Sequence, residues 1–309
     1  MGPLSHSLSI LIYHRVVAEP DPLAPDEVCA RNFDWQLAVL NRWFRVLPLR
    51  EAAARLRDGT LPMRSACVTF DDGYADNVTV ALPILRRRGV PATFFLATSF
   101  IEGGRMWNDT VIETIRSAQG DILDARCIGL GTLSISTMEL RRQAIEKLLA
   151  ALKYLPLEER QKRVEALAAE AACLLPSDLM MTTEQARQLC ASGMEIGAHT
   201  VTHPILAQLS PERAEREILD SKRRLEAITG SPVAVFAYPN GKPGRDYRRE
   251  HVGMVKELGF EAAVSTARGV ADAASDPHQL PRFTPWDRTP SKFLLRLFQN
   301  TFRTRAERV

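Results

Sequence analysis

Two clusters of chemically reactive side chains stand out in the 309-residue sequence. The first is the carboxylate pair Asp71 and Asp72, which follows an apolar run and precedes Gly73. Neighbouring residues of a strand point to opposite faces, so both carboxylates can reach one cleft only if the chain turns, and Gly73 allows that turn. A catalytic pair and an Asp-Gly turn that merely ends a strand both fit this segment alone.

The second cluster is His199 and His203, in the segment Gly-Ala-His-Thr-Val-Thr-His-Pro. Imidazoles at this spacing can reach one ion, and Pro204 favours a compact loop over a helix. The chain has six histidines, and these two stand beside small and hydroxyl-bearing residues. Two imidazoles and one carboxylate would form a three-ligand site that is open to water, as in hydrolytic zinc sites. Two solvated loop histidines are the alternative.

Short apolar runs predict the strands that would position these clusters. The predicted strands are residues 9–13, 66–70, 92–97, 194–198, 233–238 and 262–265. Helical patterns separate several of them, at residues 32–43, 77–88, 211–229 and 248–258. Because strands alternate with helices and each strand is one apolar run, we predict an α/β fold with a parallel sheet covered by helices.

This alternation is interrupted over residues 107–190, which are rich in Ala, Leu, Glu, Arg and Gln and lack strong strand signals. Two long amphipathic helices are predicted there, at residues 138–155 and 157–174. We interpret residues 107–190 as a helical insertion within a single domain that spans residues 1–309. The insertion would form one wall of a cleft, where it could set substrate length or hold a partner.

The C-terminal residues 291–309 predict a basic amphipathic helix. Phe293 and Leu297 recur on one face, and Lys292 and Arg296 supply positive charge. Such a helix either docks on the domain or contacts a membrane surface.

Composition narrows the class of protein. Hydrophobic residues make up 45% and charged residues 25%, which is typical of a globular chain. The net charge of +3 does not indicate a nucleic-acid partner. The five cysteines include no Cys-x-x-Cys pair, so a disulfide framework and a cysteine zinc site are not expected. His14 and Arg15 interrupt the apolar N-terminal run, which predicts a buried strand rather than a leader and favours the cytoplasm, including its membrane face.

Three motifs occur in order, each at the end of a predicted strand. They are Thr-Phe-Asp-Asp-Gly-Tyr at 69–74, His-Thr-Val-Thr-His-Pro at 199–204 and Phe-Ala-Tyr-Pro-Asn-Gly at 236–241. Together they resemble the polysaccharide deacetylase family, also called the NodB homology group, from residue 9 to about 285 apart from the insertion. The resemblance implies an irregular (β/α) barrel of about seven parallel strands, with one divalent metal at their carboxyl ends.

Carried over from the resemblance, Asp71 is the general base, and Asp72, His199 and His203 are the metal ligands. The assignment is chemically consistent, because a cation cancels the charge of the aspartate it binds and leaves the neighbouring aspartate free to take a proton from water. We expect Zn²⁺, although Co²⁺, Ni²⁺, Mn²⁺ and Fe²⁺ suit the same donor set.

The sequence departs from the common family pattern at two places. Many relatives place the proton-donating histidine after a late strand, whereas His14 follows the first predicted strand here. That order resembles the circularly arranged subgroup acting on poly-N-acetylglucosamine, so His14 is the candidate general acid; a hydrogen-bonded core histidine is the alternative. Ala237 stands where relatives carry an arginine that orients the base. Arg282 is the candidate replacement, with a surface arginine as the alternative.

Three further residues are candidate substrate contacts: Tyr238, Asn240 and Trp107. Asn240 stands where relatives often have tyrosine, but its backbone N–H could still stabilise an oxyanion. Trp107 could stack on a sugar ring or pack in the core.

The resemblance implies a metal-dependent hydrolase that removes an N-acyl group, acetyl above all, from an amino sugar of a glycan or a lipid-linked precursor. One alternative is a hydrolase of another C–N bond, such as a formamide or cyclic imide, on the same metal site. Another is a carbohydrate-binding barrel without catalysis. The expected partner is an amino-sugar glycan or its lipid-linked precursor, and no nucleic acid is expected. Contact of the C-terminal helix with a membrane surface is the alternative to its docking on the domain.

Overall fold

The computed structural model describes residues 7–172, 174–301 and 306–309. The chain divides into two compact units. We call the first, which contains residues 1–19, 28–101 and 181–309, the sheet unit. We call the second, which contains residues 20–27 and 102–180, the insertion unit.

Helices and strands alternate along much of the described chain. The strands are β1 (Leu8–Tyr13), β2 (Val16–Val17), β3 (Val28–Cys29), β4 (Arg45–Val46), β5 (Ser65–Phe70), β6 (Thr93–Leu96), β7 (Ile122–Asp124), β8 (Thr132–Ser134), β9 (Glu195–Ala198), β10 (Val235–Ala237) and β11 (Ala262–Val264). The α-helices are α1 (Ala30–Trp43), α2 (Leu49–Arg57), α3 (Leu82–Arg88), α4 (Trp107–Ser117), α5 (Met138–Leu152), α6 (Leu157–Glu170), α7 (Thr183–Ala191), α8 (Pro211–Thr229), α9 (Arg249–Glu257) and α10 (Pro290–Thr301).

A mostly parallel, curled sheet organises the sheet unit and confirms the predicted fold class. Its strand order is β1-β5-β6-β9-β10-β11, and β4 also pairs with β5. The pairs β1·β5, β5·β6, β6·β9, β9·β10 and β10·β11 are all parallel. Every residue of β1 and β5 is buried, as expected for strands that are covered on both faces. The carboxyl ends of these strands therefore share one edge, where α/β folds place their functional loops.

A short segment at residues 280–283 lies between the two end strands of the curled sheet. Leu280 bridges Val264 of β11 in parallel, and Phe283 bridges Leu11 of β1 in parallel. This backbone ladder links β11 to β1 and brings the intervening residues to the rim of the sheet. The segment is too short and too irregular to show a strand pattern in the sequence.

Alternating strand residues build two apolar layers. Ile10 and Cys67 belong to a cluster that includes Leu49 and Leu56 of α2. Leu11 and the other strand residues that point to the opposite face of the sheet belong to the larger cluster. There they pack against most of the surrounding helices. Complete burial of a leucine or isoleucine side chain contributes roughly 1.5–3 kcal/mol, so these layers hold the strand ends, and the loops that leave them, in fixed positions.

The insertion unit is a small helical assembly with its own apolar cluster. Helix α4 contacts both α5 and α6, and the cluster includes Val111, Leu148 and Leu167. The two helices expected at 138–155 and 157–174 are observed as α5 and α6, although both end earlier. The antiparallel pair β7·β8 was not predicted, because three-residue strands are too short to show a period. The insertion unit ends at Met180, and α7 belongs to the sheet unit.

The C-terminal helix is shorter than the predicted 291–309. Helix α10 spans Pro290–Thr301, residues 302–305 lie outside the described residues, and residues 306–309 are not helical. Phe293 and Leu297 are fully buried, and the Phe293 ring packs edge-on against Trp35 of α1 at a centroid distance of 5.6 Å. Much of the apolar face therefore docks on the sheet unit. Across the described residues, none of the helices combines the length and the hydropathy that a membrane crossing requires.

Candidate active site

The carboxylate pair lies at the carboxyl end of β5. The Asp71 N–H continues the sheet ladder by donating to the carbonyl of Tyr13 at 2.9 Å. The chain then turns sharply, because Asp72 and Gly73 have φ values of +75° and +95°. Only a short polar residue or glycine tolerates this left-handed conformation well. The turn brings two consecutive, buried carboxylates to the same side of the chain, as the sequence analysis required.

The two histidines occupy the loop after β9. His199 Nδ1 lies 2.7 Å from the carbonyl oxygen of Ala237. Because a carbonyl can only accept, Nδ1 carries a proton, and Nε2 is the nitrogen that remains to bind a cation. His199 Nε2 and His203 Nε2 lie 3.5 and 3.4 Å from Asp72 Oδ1. The structure thus brings together the three side chains that were predicted as metal ligands.

These three residues fit a divalent cation. Asp72 Oδ1 is buried, and within the described chain it accepts no hydrogen bond. One ligand atom from each of Asp72, His199 and His203 can be chosen so that all lie within 4.8 Å of one another. Ligands about 2.0–2.1 Å from a tetrahedral zinc ion lie roughly 3.3 Å apart, close to the two Nε2–Oδ1 distances. Burial alone would raise the pKa of Asp72, but the two imidazoles hold it well below its usual range, so it is the ionised ligand that a cation requires.

Arg282 holds the other carboxylate. Its Nη1 donates to Asp71 Oδ1 and its Nη2 to Asp71 Oδ2, each at 2.7 Å. Its Nε also donates to the Ser265 carbonyl at 3.0 Å, and Nη1 to Thr69 Oγ1 at 3.2 Å. The side chain is 1% exposed. Burial would raise the pKa of Asp71, but the Arg282 charge outweighs that effect and keeps the carboxyl ionised.

Ala237 contributes to the site through its backbone. Its methyl group is buried, and its carbonyl is the acceptor that orients His199. The guanidinium absent from this position is supplied by Arg282, which the segment between β11 and β1 brings to Asp71.

His14 follows β1 at the same edge of the sheet, and its side chain is exposed. The residue before it accepts a hydrogen bond from the Asp71 N–H, so His14 leaves β1 beside the carboxylate pair. Two residues that the sequence analysis missed hold its loop. Asn77 Nδ2 donates to the His14 carbonyl at 2.9 Å, and Asp76 accepts from Arg15 Nε at 2.7 Å. Their only sequence signal is that they come one residue after the Asp-Asp-Gly-Tyr motif.

Glu217 of α8 is a third positioning residue that the sequence analysis missed. Its carboxylate accepts from the N–H groups of Val201 and Thr202 at 2.9 and 2.8 Å, and from Thr202 Oγ1 at 2.7 Å. The Thr200 hydroxyl also accepts from the His203 N–H at 3.2 Å. These bonds fix the loop that carries both histidines. A glutamate on an amphipathic helix gives no sequence signal of such a role.

The third motif separates into backbone and core roles. Asn240 is half-buried with φ +59°, and its N–H has no hydrogen-bond partner in the part of the chain described. Tyr238, expected at the substrate, is 1% exposed; its hydroxyl donates to the His278 carbonyl at 3.0 Å, and its ring stacks on Tyr247. The Tyr238 side chain is therefore a core residue, because its ring completes an aromatic pair below the surface.

Trp107 begins α4 in the insertion unit. The guanidinium of Arg160 lies 4.8 Å from its ring centroid, and Arg160 is itself buried. Within its unit, Trp107 therefore takes part in a cation–π contact.

The strand ends of a curled parallel sheet thus carry an Asp-His-His group that could hold a metal ion, beside a second aspartate bound by an arginine. Residues 58–127 and 157–263 match the family model described as polysaccharide deacetylase. The chain belongs to this family, and membership supports an enzyme that deacetylates carbohydrate.

Similar proteins and solved structures align with most of this chain. The protein YxkH of Bacillus subtilis (strain 168), provisionally described as a polysaccharide deacetylase, is 21% identical over 276 residues, which is 89% of this chain and 70% of YxkH. The deacetylase PplD of Streptococcus pyogenes, solved in complex with acetate, is 22% identical with a TM-score of 0.64, covering 96% of this chain and 99% of PplD. IcaB from Ammonifex degensii is 20% identical with a TM-score of 0.58, covering 96% and 97%. At this identity the two solved structures show the shared fold.

Proposed function

We propose that this protein is a metal-dependent hydrolase that removes the N-acetyl group from an amino sugar of a glycan or of its lipid-linked precursor. The observation that carries the proposal is the division of the carboxylate pair. Asp72 groups with His199 and His203, whereas Asp71 is bound by Arg282 and lies outside the ligand set. Two adjacent carboxylates with separate partners can take separate roles in one reaction.

A divalent cation held by Asp72, His199 and His203 would supply a Lewis acid that polarises the acetamide carbonyl and acidifies water. Asp71 has the general-base role, because its Oδ2 lies 4.0 Å from His199 Nε2 and so borders the ligand set. It takes the proton of the attacking water as the C–O bond forms. Arg282 keeps this carboxylate ionised and fixes its two oxygens.

The other steps fall to residues at neighbouring strand ends. His14 gives a proton to the sugar nitrogen as the C–N bond breaks, so that a free amine and acetate leave. The Asn240 N–H donates to the oxyanion that forms on the acetyl carbonyl. The hydrogen bonds from Asn77 and to Glu217 fix the loops that carry His14 and His203.

The test is release of free amine from N-acetylglucosamine oligosaccharides by protein loaded with zinc or cobalt. We expect Asp71→Asn to keep its metal and to lose activity by about 10²–10⁴-fold, the usual contribution of general acid–base catalysis. Asp58→Asn removes a carboxylate that is largely exposed and should leave the rate unchanged.

Other outcomes would redirect the proposal. Faster hydrolysis of an N-formyl than of an N-acetyl sugar would indicate a deformylase. Binding of the oligosaccharide without amine release by the metal-loaded protein would indicate a carbohydrate-binding barrel. Near-normal turnover in Asp71→Asn would show that Asp71 is not the base.

A further inference from the structure

A second concavity of the sheet unit lies outside the metal centre and has a volume of about 220 Å³. Its lining includes Arg268, Phe283, Trp286, Arg296, Gln299 and Asn300. Phe283 directly follows Arg282, so the segment that holds Asp71 continues into this concavity. None of these residues has a role in the proposed chemistry.

An exposed tryptophan and a stacked arginine form one side of the concavity. Trp286 is 51% exposed, which is unusual for so large an apolar side chain. The Arg268 guanidinium lies 5.0 Å from its ring centroid. Among the described residues, Arg268 has no carboxylate within ion-pair distance. A guanidinium stacked on a ring keeps its edge N–H groups available, so Arg268 can donate to an anion beside the indole.

A second arginine is fixed in place on the opposite element. Arg296 of α10 forms an ion pair with Asp287, with its Nε 2.7 Å from Asp287 Oδ2, and the Asp287 carboxyl is buried. That carboxylate orients Arg296 and offsets its charge. Asn300 Nδ2 donates to the Gly269 carbonyl at 3.1 Å and so ties α10 to the loop that carries Arg268. Among the described residues that line it there is no carboxylate, and once Arg296 is paired with Asp287 the remaining charge is the positive charge of Arg268.

We propose that this concavity binds a sugar unit that carries one anionic group, phosphate or carboxylate, with the ring against Trp286 and the anion at Arg268. An aromatic face beside fixed polar donors matches the mixed apolar and polar surface of a sugar. The volume is below the roughly 300–1,000 Å³ of pockets for drug-sized ligands, so it suits one unit rather than a long polymer segment. The inference rests on the proposed function only in taking this unit to be part of the substrate glycan.

The test is calorimetric titration of the full-length protein with N-acetylglucosamine 1-phosphate, and with uncharged N-acetylglucosamine for comparison. We expect Arg268→Gln and Trp286→Ala each to weaken binding of the phosphorylated sugar by about tenfold or more. The wild-type protein should bind the uncharged sugar no more tightly than these variants bind the phosphorylated one. Glucuronic acid in a further titration distinguishes a carboxylate from a phosphate.

A matched pair of control variants uses the same chemistry elsewhere. The Arg42 guanidinium lies 5.8 Å from the ring centroid of Trp43, which is 37% exposed, and neither residue lines the concavity. Arg42→Gln and Trp43→Ala should therefore bind the phosphorylated sugar like the wild type. His203→Ala should also keep binding, because the concavity lies outside the metal centre.

Three results would overturn the inference. The first is unchanged affinity for the sugar phosphate in both Arg268→Gln and Trp286→Ala, and the second is loss of that binding in His203→Ala while the other variants still bind. The third is binding of phosphatidylglycerol vesicles that depends on Trp286, without binding of the sugar phosphate. The last would make this surface a membrane contact. Amine release is measured separately. Its failure with intact sugar-phosphate binding would refute the proposed function and leave this site standing.

Discussion

Replacement of Arg282 by methionine should destabilise the protein strongly, because it leaves a buried carboxylate without its counter-ion. Methionine has a similar length and no charge, so the change removes the hydrogen bonds while leaving much of the space filled. The lost bonds are the two to Asp71, the one to Ser265 and the one to Thr69. We therefore expect the effect to be electrostatic rather than steric.

The magnitude follows from the burial of both partners. Asp71 and Arg282 are both almost fully buried, so water cannot replace the lost donors. Hydrogen bonds to charged groups are worth about 1.5–3 kcal/mol each, and removal of one partner of a buried ion pair costs about 3–5 kcal/mol. We expect Arg282→Met to lower the free energy of unfolding by about 3–5 kcal/mol.

Urea unfolding of matched variants measures this effect. Arg282→Met/Asp71→Asn removes the charge as well as its partner, so the double variant should regain about 2 kcal/mol or more of the loss. Arg50→Met is the control for geometry. Arg50 Nε and Nη2 donate to the two Glu261 oxygens at 2.8 and 2.6 Å, but the two side chains are 50% and 44% exposed. That bidentate surface pair should contribute only about 0–1 kcal/mol.

Two results would refute the reasoning. One is a loss below about 1 kcal/mol in Arg282→Met, comparable with a surface pair. The other is a double variant no more stable than Arg282→Met, which would mean that the Asp71 charge is not the source of the loss.

Three further predictions concern metal, positioning and pH. His203→Ala should weaken zinc binding by about 100-fold or more, measured by elemental analysis and competition with a chelator; full metal content in this variant would contradict the ligand assignment. Asn77→Ala frees the loop of His14 and should lower kcat about 10–100-fold with little change in KM, whereas an unchanged kcat would show that the loop needs no support. Burial lowers the pKa of His251, so the neutral imidazole is favoured in the folded state. The contribution of His251 to the free energy of unfolding is complete above about pH 6.5, the ordinary histidine pKa, and is lost as pH falls from there through the folded-state pKa. His251→Asn retains an acceptor for the Arg248 N–H and should flatten that part of the pH–stability curve; an equally steep curve would contradict the prediction.

The residues to which the proposed chemistry is assigned were the easiest to predict from the sequence. Asp71, Asp72, His199 and His203 are polar residues directly after apolar strands, and their types are those that a metal hydrolase requires. The strands predicted at 66–70 and 194–198 are observed as β5 and β9 to within one residue at each end. A strand that is buried on both faces has to be continuously apolar, so its ends are sharp in the sequence.

Residues that act through long-range contacts could not be predicted in the same way. Glu217 reaches the histidine loop because α8 packs beside β9. A single glutamate in a helical segment gives no sequence signal of that packing. Tyr238 shows the converse error. Its place in a motif suggested a substrate contact, but the direction of its side chain depends on the stacking with Tyr247, which is visible only once both are placed.

The exchange between Ala237 and Arg282 explains why one departure from the family pattern is compatible with an intact site. Asp71 needs two parallel N–H donors at a fixed place, and this requirement does not specify which strand supplies them. The segment at 280–283 reaches the same rim through its bridges to β11 and β1. Its Arg282 can therefore bind Asp71, although the two residues are far apart in the sequence. With the guanidinium supplied from there, position 237 is free to be small, and its carbonyl holds His199 in the tautomer that a metal ligand requires.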